Sequence, residues 1–134
     1  MTWRILAVLA FLWAVPALAG PAEDAAAASA KTWLALIDAK NYAQSYKDAA
    51  DIFQQGVSAA KWEDMVRSGR GKAGALKSRA FQSAEQTKTL PGVPDGDYAI
   101  VSFQSEFETK GASTEVITLV HENGKWKVGG YFIN

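Results

Sequence analysis

Residues 115–133 read EVITLVHENGKWKVGGYFI, and this stretch decides the fold. Glu115 to Glu122 is rich in β-branched residues and Trp126 to Ile133 resumes the same character, so both halves read as strands. Between them Asn123-Gly124, followed by Lys125-Trp126, is the strongest short-range hairpin signal in the chain, because both residues accept the left-handed backbone that a tight turn demands. Upstream, Tyr98 to Glu108 alternates: Ala99, Val101, Phe103 and Phe107 point one way, Ser102, Gln104, Glu106 and Glu108 the other. A weaker alternation over Arg79 to Thr87, with Phe81 its one large apolar residue, predicts a first strand. Residues 90–97, LPGVPDGD, hold two prolines and two glycines and separate these strands as a turn or short loop.

Ahead of the strands the period changes to helical. Glu23 and Asp24 lie early in an alanine-rich segment, where the helix dipole favours acids. Ala26, Ala30, Trp33, Leu34 and Ile37 then form one apolar stripe that runs to Asn41. Tyr42, Tyr46, Ala49, Ala50 and Phe53 form a second stripe, which predicts a single helix ending at Gly56. A third helix starts near Ser58 as N-cap, turns Trp62, Met65 and Val66 to the core, and is expected to fray or bend after Arg67, where Gly69, Gly71 and Gly74 follow. Three helices before a run of antiparallel strands define an α+β domain, with the helices on the concave face of a four-stranded sheet.

The first residues predict export. One positive charge, Arg4, precedes an apolar run from Ile5 to Val15, too short to span a bilayer, which takes about 20 residues. Ala17 and Ala19 place small residues before a cut ahead of Gly20. The expected plan is therefore a signal peptide over 1–19 and one domain over 20–134, working in the periplasm or outside the cell. The chain has no cysteine, which excludes a disulfide framework, a thiolate nucleophile and Cys-ligated zinc. Lys and Arg number 14, as do Asp and Glu. Loss of Arg4 leaves a net charge of about −1, no field for gathering nucleic acid or an anionic membrane.

Several of these features together resemble a bacterial family of small exported proteins, the domain of unknown function DUF4019. They are Trp33-Leu34 with Asp38, Tyr42 with Ser45, Trp62, the stretch 70–79, the loop 91–96, Phe107, Glu115 and the terminal run 124–131. Tyr46 stands where that pattern would have tryptophan, and keeps an aromatic there. The resemblance implies an NTF2-like or cystatin-like cone of helices and curved sheet, and it implies no activity and no cofactor.

Candidate chemistry is sparse. His121, the single histidine, stands next to Glu122, yet adjacent strand residues face opposite ways, so a solvated imidazole is the favoured reading. Asp95 and Asp97 offer oxygen to a cation but fit no calcium loop, and a turn explains them. Arg67, Arg70, Lys72, Lys77 and Arg79 surround three glycines without forming a P-loop, since Ala73 follows Gly71-Lys72. A solvated edge pairing with acids of the second strand is expected instead. Glu115 is the exception: it shares a face with Ile117 and Leu119, so burial must raise its pKa or an arginine must meet it.

The residues with most to offer are Trp33, Trp62, Tyr98, Phe103, Glu115 and Tyr131, which in a cone either fill the core or line a pocket. The first reading is a non-enzymatic module binding a small amphipathic molecule or peptide among these six. The second is a filled core with a homodimer or docking partner on the outer sheet face, where Ser102, Gln104 and Thr118 lie. An enzyme ranks third, with no catalytic residue, metal or cofactor assigned.

Overall fold

In the computed structural model, which describes residues 20–134, four helices precede four strands. They are α1 (Pro21–Asp38), α2 (Tyr42–Asp48), α3 (Asp51–Gly56), α4 (Ala59–Ala73), β1 (Leu76–Thr87), β2 (Tyr98–Phe107), β3 (Gly111–Glu122) and β4 (Lys125–Ile133). The export segment and its cleavage point fall outside the described residues. Each strand pairs antiparallel with its sequence neighbour, giving an open sheet in the order β1-β2-β3-β4. The β3–β4 turn has Asn123 at φ 51° and Gly124 at φ 76°, the left-handed pair that Asn-Gly supplies at little cost.

The helices bury one face of this sheet. The α1 stripe Ala26, Ala30, Trp33, Leu34 and Ile37 is buried, as are Val101 and Phe103 of β2, Ile117 and Leu119 of β3, and Val128 of β4. Pro21 opens α1 at a position where its missing N–H costs nothing, and Glu23 and Asp24 occupy the first turn. At the other end Asn41 N–H closes back on Leu36 O at 2.8 Å, with Lys40 in the left-handed region at φ 59°.

Three helical expectations are corrected. The stripe from Tyr42 to Gly56 is two helices, because Ala49 and Ala50 are extended, with ψ 160° and 157°. Ala50 N–H donates to Val128 O at 2.8 Å, and both alanines are buried, so a tertiary hydrogen bond overrides good helix formers. Helix α4 does not fray after Arg67 but runs to Ala73. Its last turn is pinned, since Arg70 bonds Asp38 and Ala73 O accepts from the amides of Thr109 and Lys110, both at 3.0 Å. Met65 does not face the core; Trp62 and Val66 take that side and leave it 53% exposed. Strand β1 also begins earlier than Arg79, because pairing with β2 carries it back to Leu76.

The junction between α4 and β1 rests on Gly74, at φ 84° and ψ −174°, a region open essentially to glycine alone. A Cβ there would lie 2.9 Å from Thr109 N and 2.7 Å from Thr109 Oγ1. Gly74→Ala is therefore expected to lower the unfolding free energy by at least ~2 kcal/mol, from backbone strain and this clash together. Urea denaturation of the two proteins measures it, and an unchanged midpoint would show that the junction has room to move.

Candidate functional site

Each strand sends one polar side chain to a common point on the helix-covered face: Arg79 from β1, Ser105 from β2, Glu115 from β3 and Tyr131 from β4. Strand periodicity puts Glu115 in phase with Ile117 and Leu119, and its side chain is fully buried. Arg79 meets it through Nε at 2.7 Å and Nη2 at 3.1 Å, while the hydroxyls of Ser105 and Tyr131 donate to its two oxygens. The rest of the Arg79 fork reaches Asp38 at the end of α1, through Nη1 at 2.7 Å and Nη2 at 3.1 Å. Arg70 of α4 donates to the same Asp38 carboxylate at 2.9 Å. Two cations and two carboxylates thus neutralise one another and tie α1 and α4 to the sheet, with hydrogen bonds that compensate the desolvation of Glu115.

Asp38, Arg79 and Tyr131 are held in their ordinary states. Burial raises the Asp38 carboxyl, but hydrogen bonds from Arg79 and Arg70 outweigh it and hold it below the usual carboxylate range. Burial works against the Arg79 charge as well, and its bonds to Asp38 and Glu115 outweigh that and push its pKa up. Burial, and then the charge of Glu115, push the Tyr131 phenol up, so it stays a donor. Asp38, Arg79 and Tyr131 are thus each shifted away from neutrality, and the cluster is a clamp.

A second polar anchor holds the aromatic residues. The indole N–H of Trp33 donates to Ser45 O at 2.9 Å, and that of Trp62 to Ser45 Oγ at 3.0 Å. Ser45 is fully buried and its own hydroxyl donates to Tyr42 O at 2.6 Å. The Trp33 ring lies 5.8 Å from Trp62 and 5.5 Å from Tyr131, centroid to centroid. Of the six candidates, then, Trp33, Trp62, Tyr131 and Glu115 form one connected cluster. Phe103 is Glu115's neighbour across the β2–β3 ladder and belongs to the core. Tyr98 sits away from them, where its hydroxyl donates to Pro94 O and holds the proline-glycine loop.

The basic stretch does not form the expected edge paired with the second strand: Arg70 and Arg79 turn inward to Asp38 and Glu115. These partners were missed, although a signal existed. Asp38 follows Leu34 by four residues, Arg70 follows Val66 by four, and Arg79 shares strand phase with Phe81, so each charge stands in an apolar phase. Asp97 is ion-paired with Lys88. His121 rests on Trp126, ring centroids 5.0 Å apart, while Glu122 lies 3.5 Å from Lys127.

Beside the clamp an open cleft of about 530 Å³ runs between α4 and the end of β4. Trp62, Met65, Val66 and Arg70 form one wall, residues 131–134 the other, and Lys72 and Lys110 stand at its rim. Arg70 is nine-tenths buried, uses one nitrogen on Asp38, and leaves Nε and Nη1 without a hydrogen-bond partner among the described residues, its guanidinium 5.1 Å from the Phe107 ring centre. A cleft of about 580 Å³ beside Trp33 and Trp126 and one of about 790 Å³ beside Asp38 and Arg67 lie elsewhere on the helical side. The first is distinguished by containing two of the candidates, Trp62 and Tyr131, and no acidic side chain.

Two outcomes follow from the clamp. Glu115→Ala strands the Arg79 charge and is expected to cost about 3–5 kcal/mol in denaturant unfolding. A cost under ~1 kcal/mol would show that Asp38 alone satisfies Arg79. The Tyr131 phenol ionises at higher pH folded than unfolded, so its contribution is complete below about pH 10 and is lost as pH rises beyond it. Tyr131→Phe should accordingly show a shallower alkaline loss of stability than the parent, and equal slopes would contradict the assignment.

No curated protein matches the chain. A family model described as a protein of unknown function, DUF4019, matches residues 29–131, which takes in most of α1, the whole clamp and the cleft's aromatic wall. The chain belongs to the DUF4019 family.

Proposed function

We propose that this chain is an exported, non-enzymatic binding domain that takes a small amphipathic molecule or peptide in the cleft between α4 and β4. One observation carries the reading: a cleft with an apolar wall and a cationic rim stays open beside a core that is otherwise filled. Trp33 and Phe103 are buried in that core, which supports moving the ligand from the interior of the cone to its side. Met65, more than half exposed, is a large apolar side chain held at the surface where only a ligand or partner would cover it. Lys72, Lys110 and Arg70 give an anionic head group somewhere to go, and the apolar wall takes the remainder. The predicted export segment supports a periplasmic or extracellular location for this binding.

A second reading is favoured by Phe132, 58% exposed and paired with Val116 of β3. A homodimer through the outer sheet face would cover it. Sedimentation of the protein and of Phe132→Asp separates the readings, since a dimer predicts a mass that falls with the substitution and a monomeric binder predicts none.

Titration with dodecanoate, a carboxylate with an apolar tail, tests the cleft itself. Met65→Asp is expected to weaken binding at least about tenfold, since it buries a charge against the tail, while changing stability by no more than ~0.5 kcal/mol at this exposed position. Equal affinity in the two proteins would remove the cleft from consideration.

A further inference from the structure

The open wall of the cleft is a strand edge. Asn134 and Thr114 exchange both main-chain hydrogen bonds, at 2.9 and 3.0 Å, so they form a closely bonded pair of the β3–β4 ladder. Antiparallel geometry alternates, which gives Phe132 and Gly130 to the same ladder opposite Val116 and Thr118. Tyr131 and Ile133 must then direct their N–H and C=O groups away from β3, toward the free side, and both residues line the cleft. Further up the same edge Val128 O is already taken by Ala50 N–H, where the chain between α2 and α3 lies against β4. Among the described residues the edge is thus covered at one end and open at the other.

We propose that the cleft takes an extended acidic peptide segment, added as a short fifth strand along β4 at Tyr131 and Ile133. This deepens the reading of the cleft as the ligand site and rests on it. Three features converge on a peptide of this chemistry. Two outward-facing residues offer main-chain donors and acceptors for about three or four residues of an added strand, at the usual spacing of ~4.8 Å. The facing wall of Trp62, Met65 and Val66 lies where alternate side chains of that strand would project. The lysines at the cleft rim, Lys72 and Lys110, have no acidic side chain among the lining residues to offset them, while Arg70 is already paired with Asp38, and this favours acids in the partner and opposes a basic one.

The experiment follows the amide signals of Tyr131 and Ile133 by NMR in the protein as its host processes it. Acetyl-Val-Glu-Val-Glu-amide is titrated against its Lys-for-Glu counterpart, its backbone N-methylated form and dodecanoate. Strand addition predicts that the acidic peptide shifts both signals, and that N-methylation and the Lys peptide each weaken binding at least about tenfold. Ile133→Pro deletes an edge donor that β3 does not use, and should weaken the acidic peptide comparably and by a larger factor than it weakens dodecanoate, which only packs against that wall. N-methylation gives the same information from the ligand side if the proline distorts the strand. Dodecanoate binding with no peptide binding, or an N-methylated peptide binding as well as its parent, would overturn strand addition and leave the cleft as a site. Loss of binding for every probe would overturn both.

Discussion

The buried carboxylate of Glu115 is the constraint around which the domain is arranged. Strand periodicity forces it inward between hydrophobic neighbours, and a carboxylate there is tolerable only with its lone pairs occupied. The answer is assembled from every layer: a guanidinium from the edge strand, two hydroxyls from flanking strands, and through Arg79 an acid from α1 and a second arginine from α4. Since Arg79 fits both carboxylates in its planar fork, α1 has one position along the sheet at which the pattern closes. The polar cluster thereby specifies how the helical layer sits, which apolar contacts alone, being non-directional, do not.

The same arrangement decides what chemistry the domain has to offer. Acids that could have offered chemistry are consumed in pairing: Asp38 and Glu115 by arginines, Asp97 by Lys88. Trp33 and Trp62, which together suggest an aromatic pocket, are held by their indole N–H groups on the buried Ser45 and stack into the interior. What remains unpaired lies at the margin of the clamp. Arg70 has one bond to Asp38 and two nitrogens with none, and it stands where the core gives way to the cleft.

Much of this was legible in the chain. Strands β2, β3 and β4 followed from alternation and from Asn123-Gly124, because period and turn chemistry are local properties. The inward carboxylate at Glu115 was legible for the same reason. Its partners were not assigned, since a charged residue at the end of an apolar stripe reads equally as a solvated terminus, and only packing brings α1, α4 and β1 to one point. The break at Ala49-Ala50 was hidden more deeply: both residues favour helix, and what opposes it is one hydrogen bond to Val128, distant in sequence. The exposure of Met65 and the cleft itself depend on how α4 is rotated over the edge of β4, which no periodicity encodes.

The proposed location at the edge is favoured by what each alternative would have to displace. A ligand in the interior must unseat indoles anchored on Ser45 or open the shell of Glu115, leaving buried polar groups without partners. At residues 131–133 no buried polar pairing is broken, because the main-chain groups of Tyr131 and Ile133 already point away from β3. An open edge is also a hazard, as it can template pairing with other chains. Here the Ala50 contact closes the part beside Val128 and the lysines at the rim repel a second copy of the same edge. The remaining opening is short enough to discourage indiscriminate pairing, and its cations favour an acidic occupant.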